Sequence, residues 1–161
     1  MLTVDVPGWK ALALGYLVLD VNGTLSLDGA LLDGVAERLA DLRGSLEIQL
    51  LSADTFGRLD ALAATLGLEA PGIHARRLEP GDEASQKAAV VAALGAEQVV
   101  AIGNGANDVA MLRAAGLGIC VLGPEGSAAE AVAAADVVAR DIGVALDVLR
   151  SPRRLVATLR R

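Results

Sequence analysis

Apolar residues come in short continuous runs, each closed by a polar residue and a turn. Tyr16-Leu-Val-Leu19 runs into Asp20, and Gly23-Thr24 breaks the chain three residues later. Leu46 to Leu51 leads into Ser52-Ala53-Asp54, and Gln98 to Ile102 into Gly103-Asn-Gly-Ala-Asn-Asp108. Runs this short, bounded by turn residues, fit strands buried on both faces. Further strands are expected at 72–78, 117–122 and 136–139. Between them lie segments of helical period at 34–43, 56–66, 82–94, 107–115, 125–134, 141–149 and 152–160. In the first of these Val35, Leu39 and Leu42 share a face; Asp33 is expected to cap its start, and Gly44 stops it. At the front, Leu2 to Val6, a Pro7-Gly8 turn and an apolar run to Leu14 predict a β-hairpin or arm. A glycine-dotted segment at 25–34 predicts a short flap.

Strand and helix alternate along the chain with short links and no internal repeat. That order predicts the α/β class, as a single doubly wound, Rossmann-like parallel sheet with right-handed crossovers. One domain is expected over 1–161, with the β arm at 1–14, the core at 15–150 and a terminal helix at 151–161.

A length of 161 residues fits one domain, and 53% hydrophobic content fits a packed core. No run of 18 uncharged apolar residues occurs, so no membrane span is expected. The first ten residues lack a basic stretch followed by an apolar one, so no signal peptide is expected. Cys120, the single cysteine, excludes an internal disulfide and makes a cytoplasmic location the default expectation. A net charge of −6 argues against a nucleic-acid partner, since such binding rests on phosphate neutralisation. The arginines at 150, 153, 154, 160 and 161 read as a solvated end helix. His74 has no second ligand near it and reads as a strand or edge histidine.

Chemistry collects at three strand ends: Asp20-Val-Asn22-Gly-Thr24, Ser52-Ala-Asp54 and Gly103 to Asp108. In a doubly wound sheet the carboxyl ends lie along one edge, so these clusters can converge on one ligand. An Asp at a strand end also starts turns, and that bland reading stands beside the catalytic one. Of 14 basic residues only Lys10 and Lys87 are lysines. Lys87 inside an Ala/Val-rich helix reads either as a compact point charge at the site or as an exposed helix lysine. Gly123-Pro-Glu-Gly-Ser127 forms a loop on the same edge, able to line the site.

The order D-x-x-G-T, Ser after the second core strand, Lys, then G-x-G-x-N-D resembles the haloacid dehalogenase (HAD) superfamily of aspartyl-phosphate-forming phosphatases. The resemblance runs from Leu17 to about Val138. Within that superfamily it is similar to small soluble P-type-ATPase-like phosphatases without a cap domain. It implies a Mg²⁺-dependent phosphohydrolase, with Asp20 as nucleophile and Lys87 neutralising charge. It implies a phosphate-binding set of Asn22, Gly23, Thr24, Ser52, Ala53, Lys87 and Asn107. Asp20, the Asn22 carbonyl, Asn104 and Asp108 would form the metal shell, directly or through water. Asp54 matches an acid of the ATPase pattern, with its role open. Two departures stand out. Asn22 occupies the position of the usual general acid, and Asn104 that of a metal-binding Asp. A slow phosphatase, or a long-lived phosphoenzyme, is therefore expected. The alternative is a phosphate-binding or regulatory protein that has kept the fold without turnover. Neither the 24–52 gap nor the 52–87 gap holds a cap, so the site is expected to be open. That suits a small or macromolecular phosphorylated substrate, or a neighbouring subunit in a homo-oligomer, with the arm and flap as interface elements.

Overall fold

The computed structural model describes residues 1–53, 59–66 and 72–161. Asp54, the start of the helix expected at 56–66 and its Gly67 stop lie outside the described residues. The chain opens with an antiparallel hairpin, β1 (Leu2–Asp5) and β2 (Ala11–Leu14). Core strand β3 (Tyr16–Asp20) follows, then a small hairpin of β4 (Ser26–Leu27) and β5 (Ala30–Leu31) within the expected flap. Next come α1 (Val35–Leu42), β6 (Glu47–Ser52), α2 (Leu59–Thr65), β7 (Ile73–Arg77) and α3 (Glu83–Ala93). The second half runs β8 (Val99–Gly103), α4 (Val109–Ala114), β9 (Leu117–Val121), α5 (Ala129–Ala134) and β10 (Val137–Ala139). Two helices, α6 (Ile142–Arg150) and α7 (Pro152–Leu159), close it.

Six strands form one parallel sheet in the order β10-β9-β8-β3-β6-β7. Connections therefore run one way from β3 through β6 to β7, then jump back across β3 to β8. The strand order reverses between β3 and β8, and the crevice beyond the carboxyl ends at such a point is where doubly wound sheets bind ligands.

Alternation along the strands explains why both faces are covered. Leu17 and Leu19 of β3 join one buried cluster, while Val18 joins the other; Val100 and Ile102 of β8 oppose Val99 and Ala101 in the same way. Helices α1, α2, α6 and α7 supply the first cluster through residues such as Leu39, Leu62, Leu146 and Leu155. Helices α3, α4 and α5 supply the second through Val91, Met111 and Ala131. Each such leucine contributes about 1.5–3 kcal/mol on burial.

Some boundaries differ from the sequence reading, each for a local reason. Gly34, not Asp33, is the residue before α1; its φ of 71° lies in the left-handed region, and no side chain caps that end. The helix expected at 107–115 begins as a 3₁₀ turn at Ala106–Asp108. The one expected at 125–134 starts only at Ala129, because Pro124 to Gly126 form a turn closed by Gly126 N–H donating to Gly123 O at 2.9 Å. The front hairpin is not a projecting arm. Val4, Val6, Leu12 and Leu14 pack into the first cluster, so its apolar side is spent inside the molecule.

Candidate active site

Asp20 is the last residue of β3, Ser52 the last of β6, and Asn104 follows the last residue of β8. Because the strands are parallel, all three stand at one edge, at the order reversal. The turn after Asp20 is tightly closed. Leu25 and Ser26 both donate their N–H to Val21 O, Gly23 N–H donates to Ser26 O at 2.9 Å, and the Ser26 hydroxyl also donates to Val21 O. Gly23 adopts φ 75°, which a side chain would strain. Its amide is thus engaged by Ser26 O within the turn.

Lys87 reaches this edge from α3. It shares one face of that helix with Val90 and Val91, so a cation occupies a core position and is 1% exposed. Its Nζ donates to Asp20 Oδ1 and to Asp108 Oδ1, both at 2.7 Å. Asp108 is fully buried, and its Oδ2 accepts from the N–H groups of Asn104 and Gly105, each at 2.9 Å. Asp20 Oδ2 lies 3.0 Å from Thr24 Oγ1, and that hydroxyl is equally close to Asn104 Oδ1. The exposed-lysine reading of Lys87 is thereby excluded, as is a mere turn-starting role for Asp20.

Charge governs the centre. Burial, reinforced by the Asp108 carboxylate, pushes the Asp20 pKa up to about 7, against the opposing pull of Lys87 and Thr24. Burial alone would lower the Lys87 pKa; the two carboxylates outweigh it and hold the ammonium above its usual value. Two buried acids sharing one lysine leave an excess negative charge. Hard oxygen donors face it, with Asp20 Oδ2 and Asn104 Oδ1 both gathered at Thr24. This set fits a small divalent cation. Among the described residues no three His, Cys, Asp or Glu side chains gather as a metal cluster. An ion here would be held by few formal charges, supplemented by amide and backbone oxygens.

The other expected residues are arranged around this centre. Asn22 is exposed, and its Nδ2 donates to Ser52 Oγ at 3.3 Å. Ala53 follows Ser52, half-buried. Asn107 does not enter the ion-paired cluster; it donates to Glu83 Oε2 at 2.9 Å and ties the β8 loop to the first turn of α3. His74 sits half-exposed on the edge strand β7, 3.4 Å from Glu47. Cys120 is buried within the sheet.

Two features escaped the sequence reading. Ser26 closes the turn after Asp20, and a serine six residues after the Asp carried no signal of that. Asn104 uses both ends of its amide, since Nδ2 donates to Gly126 O at 3.0 Å while Oδ1 meets Thr24. It braces the loop after β9 against the turn after Asp20.

The family model of haloacid dehalogenase-like hydrolases matches residues 2–116. The chain belongs to that family. An uncharacterized protein of Methanocaldococcus jannaschii is 47% identical over 64 residues, covering 40% of this HAD-family chain and 69% of its own length. A probable cation-transporting ATPase G of Mycobacterium tuberculosis is 36% identical over 141 residues. Those cover 83% of this chain but only 17% of the ATPase. Among solved structures, the 3-deoxy-D-manno-octulosonate 8-phosphate phosphatase of Moraxella catarrhalis superposes with a TM-score of 0.62 at 19% identity. The match covers 92% of this chain and 88% of that one. That likeness establishes the shared fold.

Proposed function

We propose that the chain is a phosphohydrolase acting through an aspartyl phosphate on Asp20, with Mg²⁺ as cofactor. The observation that carries this reading is the buried Asp20–Lys87–Asp108 array at the sheet's order reversal, with both ion pairs at 2.7 Å. A purely structural core would replace three buried charges with apolar groups at little or no cost.

In this scheme the Asp20 carboxylate attacks the phosphorus of a phosphate monoester, the bond to the leaving oxygen breaks, and water later releases phosphate and regenerates Asp20. Lys87 favours the ionised form of the nucleophile and offsets charge on the phosphoryl oxygens. The Ser52 hydroxyl, with the backbone at Asn22, Thr24 and Ala53, orients the phosphoryl group. Asp20, the Asn22 carbonyl and Asn104 would hold the ion, with Asp108 behind them, and a bound Mg²⁺ supplies charge neutralisation at the phosphoryl oxygens. The magnesium and phosphate bound in the Moraxella phosphatase structure support this choice of ligands. The substrate is a phosphorylated small molecule or macromolecule, reached through a site that no cap covers among the described residues. A homo-oligomer in the cytoplasm is part of the same reading.

A second reading, a phosphate-binding or regulatory protein without turnover, is favoured by Asn22, whose amide cannot shuttle a proton. One experiment separates the two. Phosphate release from p-nitrophenyl phosphate and acetyl phosphate is measured with Mg²⁺ or EDTA, for wild type and Asp20→Asn. Metal-dependent release that disappears in the variant is expected. No release, or release indifferent to Asp20, establishes the binding reading instead.

A further inference from the structure

The nucleophile turn has a carboxylate beside it that no strand-end motif supplies. A Cβ built on Gly23 would lie 2.5 Å from Glu125 Oε2 and 3.2 Å from Asn104 Nδ2, so both side chains crowd the residue next to Asn22. Glu125 itself is solvent-exposed. Its backbone is held firmly all the same. The turn carrying it closes through Gly126 N–H to Gly123 O, Asn104 Nδ2 donates to Gly126 O, and Ala128 N–H donates to Asn104 O at 2.9 Å. A Cβ at Gly123 would meet Gly23 O at 2.5 Å, so the two loops touch backbone to backbone.

We propose that Glu125 is the general acid and base of the reaction, standing in for the carboxyl group absent at Asn22, with Asn104 as the residue that positions it. This rests on the phosphohydrolase reading of Asp20. In the first step a carboxylate oxygen of Asp20 bonds to phosphorus as the ester P–O bond breaks, and the Glu125 carboxyl gives its proton to the leaving alkoxide. In the second, water attacks the aspartyl phosphate, Glu125 takes the water proton, and the P–O bond to Asp20 breaks. Phosphate leaves, and both side chains return to their starting states. The arrangement differs from an acid on the nucleophile loop because the proton donor arrives from the loop after β9.

The test compares an alkyl phosphate (β-glycerol phosphate), whose leaving group needs a proton, with p-nitrophenyl phosphate, whose leaving group does not. Wild type, Asp20→Asn, Glu125→Gln and Glu125→Asp are assayed with Mg²⁺, with folding checked by thermal melting. Glu125→Gln is expected to lower kcat/KM for the alkyl ester by about 10²-fold or more. Its kcat/KM for p-nitrophenyl phosphate should stay within about threefold, with radiolabelled phosphoenzyme accumulating because the second step loses its base. Asn22→Asp placed in the Glu125→Gln background should restore alkyl turnover. Equal losses on both substrates, no loss on either, or full alkyl activity in Glu125→Gln overturns the Glu125 assignment while leaving Asp20-dependent turnover standing. Wild type without Asp20-dependent turnover of either ester overturns both readings together.

Discussion

Asp20 shows how a single residue can be tuned against the stability of its own fold. Its ordinary pKa of 3.8 rises to about 7 in the folded protein, chiefly through burial. A carboxyl group that holds its proton more tightly when folded costs stability as it ionises, because unfolding then releases it to a state that prefers the charge. Below about pH 4 both states are protonated and nothing is lost; stability declines between there and about 7, then levels. Asp20→Asn removes that charge. In EDTA its melting temperature is expected to exceed wild type at pH 8 and to match it at about pH 3.5, as scanning calorimetry at the two pH values would show. An equal difference at both values would mean that the carboxylate is not strained by burial. Asp20, Lys87 and Asp108 were legible in the sequence because each is a polar group at the end or start of an otherwise apolar element. Glu125 was visible only as part of a loop on the right edge. Its approach to Gly23 depends on two glycines, Gly23 and Gly123, which let backbones from opposite ends of the chain touch. No local pattern encodes such a contact.

At the scale of elements, the β9 loop is the piece whose character changed most between sequence and structure. Alanine-rich helical period suggested that a helix begins at 125, yet Pro124, the φ of 86° at Gly126 and the Asn104 brace hold residues 123–128 as a turn. The helix waits until Ala129. Strand and helix order, by contrast, was legible because apolar runs and helical periods alternate without interruption. The turn's geometry yields a prediction of its own. Gly123→Ala would drive a methyl group onto Gly23 O, so the turn after Asp20 would have to shift to make room. Overpacking of this kind costs about 1–3 kcal/mol. A lower melting temperature and reduced kcat/KM for phosphate esters are expected, while Gly126, with open space around it but a positive φ, should suffer from strain alone. Undiminished turnover in Gly123→Ala would show that the two loops need not touch.

For the whole molecule, the sheet order places the Asp20–Lys87–Asp108 edge where the strand order reverses, and two covered faces leave that edge as the polar rim of an apolar body. A ligand bound only by the folded state raises stability by mass action. Because the centre carries excess negative charge, millimolar Mg²⁺ is expected to raise the wild-type melting temperature, and EDTA to reverse the gain. Asp20→Asn should respond less, and a wild-type melting curve indifferent to Mg²⁺ would remove the case for a metal here. The same strand order bears on how the molecule is made. Strand β3 pairs early with β6, but its other neighbour, β8, begins only at Val99. A nascent chain that has emerged from the ribosome only as far as Lys87 leaves one flank of β3 unpaired. The strand bearing Asp20 is therefore central in space yet completed late in synthesis, and the buried Asp20–Lys87–Asp108 array assembles only when the second half of the sheet docks.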